Sequence, residues 1–221
     1  MYQLSASLQC MDFKKIKEQI QVLNKYMDRY HIDIFDGHFV PNIVFGPEIV
    51  TNIQDILEIP FDVHLAVEKP EIIMLSFLKS QAETVSIHIE SLSHQFFRVA
   101  DKIHSAGKKF GIVLSPITGI DNFVYIADEI DKVTVMTVDP GFAGQKFIKP
   151  MLKKIKTISE FKERNNCRFQ IEVDGSVNLK TIKDLYISGA EVFVLGSSGL
   201  FDLDKSTERA AIKIINYFKS L

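Results

Sequence analysis

His31-Ile32-Asp33-Ile34-Phe35-Asp36-Gly37-His38-Phe39-Val40-Pro41-Asn42 is the stretch from which the rest of the chain can be read. Its first six residues alternate polar and apolar, the pattern of a strand that turns one face to a polar site. Side chains reverse at every residue of a strand, so His31 and Asp33 share a face about 7 Å apart, close enough for both to hold one metal ion. Asp36-Gly37 ends the strand, and Pro41-Asn42 stiffens the loop after it. Taken alone, His-x-Asp is better read as an ordinary strand whose polar residues face solvent. The flanking elements have to decide.

Working outward, short β-rich runs alternate with amphipathic helical runs, and no long Pro, Gly or Ser linker interrupts them. Gln3 to Leu8 reads as a first strand, and Asp12 caps a helix whose apolar positions Phe13, Ile16, Ile20, Leu23 and Met27 recur at helical spacing. Tyr30 to Asp36 is the second strand. Pro47 starts a helix through Ile49, Val50 and Ile53, and Phe61 to Val67, with His64 in its middle, is the third strand. Pro70 opens the next helix, Thr84 to Ile89 is the fourth strand, and His94 to Ala106 is a helix stopped by Gly107. Phe110 to Leu114 is the fifth strand, ended by Pro116. A short helix spans Ile120 to Ala127, and Lys132 to Val138, nearly all apolar and β-branched, reads as a sixth strand buried on both faces. Pro150 opens a helix through Leu152, Ile155 and Ile158, and Arg168 to Asp174 is the seventh strand. Leu179 to Ile187 is a helix closed by Gly189, Val192 to Leu195 the eighth strand, and Glu208 to Phe218 a last helix. This eightfold β-then-α alternation predicts an α/β chain folded as a single (β/α)8 TIM barrel domain over residues 1–221. The competing doubly wound open sheet usually carries a Gly-rich phosphate turn after its first strand, where this chain has Gln9-Cys10-Met11.

Bulk properties fit that reading. A length of 221 residues suits one such barrel, and 46% hydrophobic with 24% charged residues is an ordinary soluble composition. A net charge of −2 gives no reason to expect nucleic acid as a partner. No apolar run approaches a spanning helix, and Met1-Tyr2-Gln3-Leu4 lacks the basic segment and apolar core of a signal peptide, so a cytoplasmic protein without membrane attachment is expected. Cys10 and Cys167 stand far apart without other thiols, which indicates neither a disulfide framework nor a Cys-based zinc site.

In a barrel the carboxyl ends of the strands converge on one mouth, and this turns scattered positions into a site. His31 and Asp33 come from the second strand, His64 from the third and Asp174 from the end of the seventh. Two imidazoles and two carboxylates suit one divalent ion such as Zn²⁺, Mn²⁺, Fe²⁺ or Co²⁺, with Mg²⁺ also open. Singly, His64 would read as a core histidine and Asp174 as a turn aspartate; placement at one mouth is what joins them. His88, on the fourth strand, reads as a supporting or structural histidine. A second constellation lies in the late loops: Gly141-Phe142-Ala143-Gly144, Gly175-Ser176 and Gly196-Ser197-Ser198-Gly199. Small residues let backbone N–H groups approach a phosphate, and barrels often bind phosphate after their last strands. Any one of these loops could be an ordinary tight turn; three in adjacent positions favour a phosphate.

A metal beside a phosphate pocket suggests chemistry on a sugar phosphate. The ion could hold a ketone oxygen and the neighbouring hydroxyl and stabilise the enediolate formed when the carbon between them loses its proton. Asp33 and Asp174, one ionised and one protonated, would act from opposite faces and invert that carbon.

The segments His31 to Asn42, Val135-Met-Thr-Val-Asp-Pro-Gly-Phe-Ala-Gly-Gln145 and Glu172-Val-Asp-Gly175 resemble the signature segments of the ribulose-phosphate 3-epimerase family of metal-dependent barrels, over essentially the whole chain. Within it, Cys10-Met11-Asp12, Asp174-Gly175-Ser176 and Gly196-Ser-Ser-Gly-Leu-Phe201 look more like the D-allulose-6-phosphate 3-epimerases than the pentose enzymes. The resemblance implies metal binding by His31, Asp33, His64 and Asp174, and proton transfer by Asp33 and Asp174. It implies substrate contacts from Ser7, His64 and Met136, and phosphate contacts from the late-loop residues Gly141, Phe142, Ala143, Gly144, Gly175, Ser176, Gly196 and Ser197. It further implies a small sugar phosphate as substrate, and because barrel enzymes of this size often associate, a homo-oligomer is expected, although no helix advertises an interface. The chain departs from its relatives at Phe35 and Ala66, where methionines commonly surround the enediolate. D-Allulose 6-phosphate is the expected substrate and D-ribulose 5-phosphate the alternative. Barrels that decarboxylate would want a lysine at the mouth, and aldose–ketose isomerisation needs no metal quartet. A non-catalytic metal or sugar-phosphate sensor is the reading from another class, and a pure binder has no use for the proton-transfer pair Asp33 and Asp174.

Overall fold

The computed structural model describes residues 2–92, 94–121 and 123–221. Among these described residues nine strands form, β1 (Gln3–Ser7), β2 (Arg29–Asp36), β3 (Ile43–Val44), β4 (Phe61–Ala66), β5 (Thr84–His88), β6 (Lys109–Leu114), β7 (Lys132–Met136), β8 (Gln170–Asp174) and β9 (Val192–Leu195). All but β3 are parallel and pair in the ring β1-β9-β8-β7-β6-β5-β4-β2, which the β1–β2 pairing closes. The helices α1 (Ile16–Leu23), α2 (Pro47–Ile53), α3 (Pro70–Leu78), α4 (Phe96–Ser105), α5 (Phe123–Ile126), α6 (Met151–Arg164), α7 (Ile182–Ile187) and α8 (Thr207–Lys219) surround it. This is the (β/α)8 TIM barrel that the alternation predicts.

The period of two divides each strand between two environments. On β2, Tyr30, Ile32 and Ile34 are fully buried against the helical layer, which meets them with Ile20 and Leu23 of α1 and the apolar faces of its neighbours. Burying each such side chain stabilises the fold by about 1.5–3 kcal/mol. The alternate residues Arg29, His31 and Asp33 point to the barrel axis, where they meet Asp62 and His64 of β4, Lys132 of β7 and Glu172 of β8. These inward side chains are at most 4% exposed, so a column of charge fills much of the space that branched apolar side chains usually fill.

Several boundaries differ from the sequence reading. The first helix starts as a tight turn, Phe13–Lys15, with Asp12 accepting a hydrogen bond from the Lys14 N–H. It ends at Leu23 rather than running to Met27, because Asn24 turns away to bond the Ile56 carbonyl, the Tyr30 hydroxyl and the Glu58 N–H. Phe13 is 56% exposed and packs edge-on against Phe45 instead of facing the core. β7 stops at Met136 and is buried on both faces as expected, its inward face turning Lys132 and Thr134 to Glu172. α7 starts only at Ile182, since Asn178 and Thr181 bond to the Ser176 carbonyl and hold a turn before it. Met1 and Asn122, within the expected first segment and short helix, lie outside the described residues. The loop after β2 also contains what no periodicity announced: β3 folds back antiparallel on β2, with Phe35 opposite Val44 and Asp36 opposite Ile43.

Candidate active site

Strand register assembles the mouth. Asp33 lies beside His64 across β2–β4, His31 beside Asp62 one step below, Ser7 beside His31 across β1–β2, and Asp174 beside Met136 across β7–β8. The four side chains read as ligands therefore meet. His31 Nε2 stands 3.3 Å from His64 Nδ1, 3.4 Å from Asp33 Oδ1 and 3.8 Å from Asp174 Oδ2. His64 Nδ1 stands 3.0 Å from Asp33 Oδ1 and 4.0 Å from Asp174 Oδ2. A tetrahedral ion with bonds of about 2.0–2.1 Å would set its ligands roughly 3.3 Å apart, so these spacings and this nitrogen–oxygen donor set fit a divalent metal.

The donors are also aimed. His31 Nδ1 is 2.9 Å from Asp62 Oδ2, which keeps the proton on Nδ1 and leaves Nε2 its lone pair. Asp62 is itself held by Lys132, whose Nζ is 2.8 Å from both Asp62 Oδ2 and Glu172 Oε1. Asp62, Lys132, Glu172 and Arg29 were not foreseen. Each looks, within its own strand, like a flanking or solvent-facing charge, and only cross-strand register shows otherwise.

Above this quartet opens a cleft of about 580 Å³, continuous with solvent. Ser7, Asp33, Met136 and Asp174 form its floor, and the Ser7 hydroxyl donates to Asp33 Oδ2 at 3.3 Å. Gly141, Phe142, Ala143 and Gly144 line one wall; Gly175, Ser176, Gly196 and Ser197 line another. Gln9, Cys10, Phe35 and Asp139 also reach it and were not assigned to it from sequence. His31 and His64 are fully buried and do not line the cleft, so His64, expected to touch substrate, lies beneath the floor. Ala66 is likewise buried away from the cleft, beside Phe35 and Val40. No lysine or arginine is among the described residues that line the cleft. An anion there would be held by backbone N–H groups and hydroxyls rather than by a cation.

Two glycines are needed for the walls to take this shape. Gly175 has φ +106° and a Cβ on it would come within 2.5 Å of Val138, while Gly141 has φ +118° and would press on Val40 at 3.1 Å. The Gly141 carbonyl accepts a hydrogen bond from Asn42 Nδ2 at 2.7 Å, which ties the loop after β2 to the loop after β7.

The two carboxylates are driven apart in acidity. Burial alone would raise Asp33, but the charge of His31 and hydrogen bonds from His31 and His64 hold it well below the usual carboxylate range. Burial pushes Asp174 up to about 7; His31 opposes this, while Asp33, Glu172 and Asp62 add to it. Near neutral pH one is ionised and the other carries a proton about half the time, which is how an acid–base pair is divided.

Comparison with known proteins decides the family. A profile described as the Ribulose-phosphate 3 epimerase family matches residues 3–201. The ribulose-phosphate 3-epimerase of Bacillus subtilis is 38% identical over 200 residues, 90% of this chain and 92% of that protein. The ribulose-phosphate 3-epimerase of Methanocaldococcus jannaschii is 35% identical over 223 residues, 98% of this chain and 94% of that protein. This chain belongs to the ribulose-phosphate 3-epimerase family. It is an isomerase of the epimerase class. Orotidine 5'-phosphate decarboxylase from Pyrococcus horikoshii superposes with a TM-score of 0.68 over 99% of this chain and 100% of that one, at 12% identity, and shares the fold alone. Among the described residues of this family member, no helix is long and apolar enough to cross a membrane.

The site's protons make a first prediction for this epimerase-family cluster. Burial lowers the affinity of His31 for its proton, yet the Asp62 and Asp33 carboxylates outweigh it and raise His31 well above 6.5. A cation needs His31 neutral, so binding displaces the His31 proton, while Asp174 can face the ion through one oxygen and keep a proton on the other. Calorimetry in buffers of different ionisation heat should find about one proton released per ion near neutral pH. Affinity rises with pH accordingly. Binding without proton release between about pH 6 and 8 would contradict this division of protons.

Proposed function

We propose that the cleft epimerises carbon 3 of a ketose phosphate, with Asp33 and Asp174 exchanging the proton from opposite faces. The observation that supports this most is the meeting of these two carboxylates at one mouth, above two buried histidines and below walls of glycine and serine. His31, Asp33, His64 and Asp174 would hold one divalent ion of the Zn²⁺, Mn²⁺, Fe²⁺ or Co²⁺ type, with Mg²⁺ a weaker match to imidazole ligands. Such an ion supplies charge stabilisation to the two substrate oxygens that become electron-rich when carbon 3 is deprotonated. Asp33, ionised, takes the proton on its face; Asp174, protonated for part of the time near pH 7, returns one on the other. Ser7 steadies the Asp33 carboxylate, and Met136 gives the reacting carbons an apolar neighbour that excludes water.

The substrate follows from the far end of the cleft. We propose D-allulose 6-phosphate, interconverted with D-fructose 6-phosphate, because Cys10, Ser176, Gly196 and Ser197 belong to the segments that resemble the hexulose enzymes and line this cleft. A second reading, D-ribulose 5-phosphate, is favoured by the names of both relatives described above. A hexulose carries one more carbon between the reacting centre and the phosphate, roughly 1.3 Å of reach, and misplacement on the order of 1 Å can cost about 10²-fold in rate. With one metal, kcat/KM for the two substrates should differ by at least about tenfold in favour of the hexulose. A preference for the pentulose overturns the substrate and leaves the reaction class standing.

A further inference from the structure

His88 and Glu90 lie outside the metal quartet and outside the cleft, yet they continue it. His88 is fully buried at the inner end of β5. Its Nε2 is 3.0 Å from His64 Nε2, and its Nδ1 is 3.2 Å from Glu90 Oε2. Glu90 in turn accepts from the Ser115 N–H at 3.0 Å and from the Thr118 hydroxyl, while Lys154 Nζ bonds the Ser115, Pro116 and Thr118 carbonyls at 3.0, 2.7 and 2.8 Å. The loop after β6 thus holds the carboxylate, and the carboxylate holds the histidine. The ring of Phe39, its centroid 4.5 Å from that of His88, covers the other side.

The hydrogens in this chain can be counted. A carboxylate oxygen only accepts, so His88 Nδ1 carries the hydrogen that faces Glu90. A neutral imidazole then has a lone pair on Nε2, and the nitrogen 3.0 Å away on His64 must be the donor. With its proton committed to Nε2, His64 would present a lone pair on Nδ1 to an ion among Asp33, Asp174 and His31 Nε2, whereas without one Nδ1 is the atom that bonds Asp33 Oδ1 at 3.0 Å.

From this geometry we infer that His88 and Glu90 are positioning residues for the metal site: they fix the tautomer and ring orientation of His64, as Asp62 does for His31. The two histidine ligands are therefore set by separate devices, one a direct carboxylate from β4 and the other a histidine relayed to a carboxylate that the β6 loop anchors. The inference rests on the reading of His31, Asp33, His64 and Asp174 as metal ligands. It adds residues whose effect should appear in metal affinity before it appears in anything else, because neither touches the substrate cleft.

The test measures zinc affinity by chelator competition and records the visible spectrum of the cobalt-loaded protein, for the parent, His88→Leu, Glu90→Leu and Glu90→Gln. Loss of such an outer partner typically weakens metal binding about 10–100-fold. His88→Leu and Glu90→Leu should fall in that range and shift the cobalt bands, whereas Glu90→Gln, whose amide oxygen can still accept from His88 while its amide nitrogen meets the Ser115 N–H, should lose clearly less affinity than Glu90→Leu. Should the buried His88→Leu fail to fold, the comparison of Glu90→Leu with Glu90→Gln, at a partly exposed position, carries the test. A parent that binds one ion while both leucine variants match its affinity and spectrum overturns this inference and spares the quartet. A fall in the melting temperature of the metal-free variants with unchanged affinity does the same, assigning a structural role only. A parent that binds no ion overturns the quartet and this inference together.

Discussion

Asp33→Asn and Asp174→Asn, each loaded with metal, should lose at least about 10²–10⁴-fold in kcat for carbon 3 epimerisation, among the largest activity losses any single change in this chain should cause. Asparagine keeps the volume and one ligating oxygen of aspartate, so the fold and much of the metal site survive. It removes the basicity, and at these positions basicity is the function. Asp33 is held ionised by His31 and His64, and Asp174 is raised to about 7 by burial and by the acidic neighbours beneath it. Neither can stand in for the other, because inversion needs a proton taken from one face and delivered to the opposite one. Metal content must be measured in each variant, since both residues also face the ion. Turnover within about threefold of the parent, in either variant with metal bound, would contradict the two-carboxylate mechanism.

The largest effect on stability should come from beneath the site. Lys132 Nζ lies 2.8 Å from Asp62 Oδ2 and 2.8 Å from Glu172 Oε1, with all three side chains at most 3% exposed. Lys132→Met removes the cation and leaves two buried carboxylates facing each other, a change that typically costs about 3–5 kcal/mol. For a chain of this size that corresponds to a fall in melting temperature on the order of 10 °C. Arg29 cannot compensate fully, because its guanidinium is already engaged 2.6 Å from Glu83. Adding Glu172→Gln to Lys132→Met should recover part of the loss, since it removes one uncompensated charge, and the two effects should be non-additive because the groups touch. The damage should also reach the mouth through Asp62, which orients His31. Thermal unfolding that differs from the parent by less than about 1 kcal/mol would show that the column is not held by its charges.

Much of this molecule is written in local sequence. The alternation from His31 to Asp36 and its β-rich counterparts give strands with one apolar face, the prolines at 47 and 70 mark helix starts, and eight repeats of the pair leave few architectures to choose from. The quartet could be anticipated because its members lie on inward-facing positions of strands that barrel topology brings to one mouth. The interior column could not. Lys132 opens its strand, where a lysine ordinarily reaches solvent, and Asp62 and Glu172 each stand alone among apolar neighbours. Their pairing depends on β2–β4 and β7–β8 register, a property of the closed sheet and of no single strand. His88 is the intermediate case: its isolation within β5 gave no partner, and its place behind His64 appears only when β4 and β5 pair side by side. The helix ends at Leu23 and Ile182 differ from the periodic pattern for two reasons: Asn24 bonds across the fold to the Ile56 carbonyl, and Thr181 bonds locally to the Ser176 carbonyl and holds a turn before its helix.

In the proposed reaction a proton leaves and returns at carbon 3. Incubating the metal-loaded protein with D-fructose 6-phosphate in deuterium oxide, and following carbon 3 by NMR, tests it directly. The expected result is one deuterium at carbon 3 together with the carbon 3 epimer, both lost in Asp33→Asn and Asp174→Asn. A metal-loaded parent that leaves carbon 3 fully protonated in both D-fructose 6-phosphate and D-ribulose 5-phosphate would contradict it.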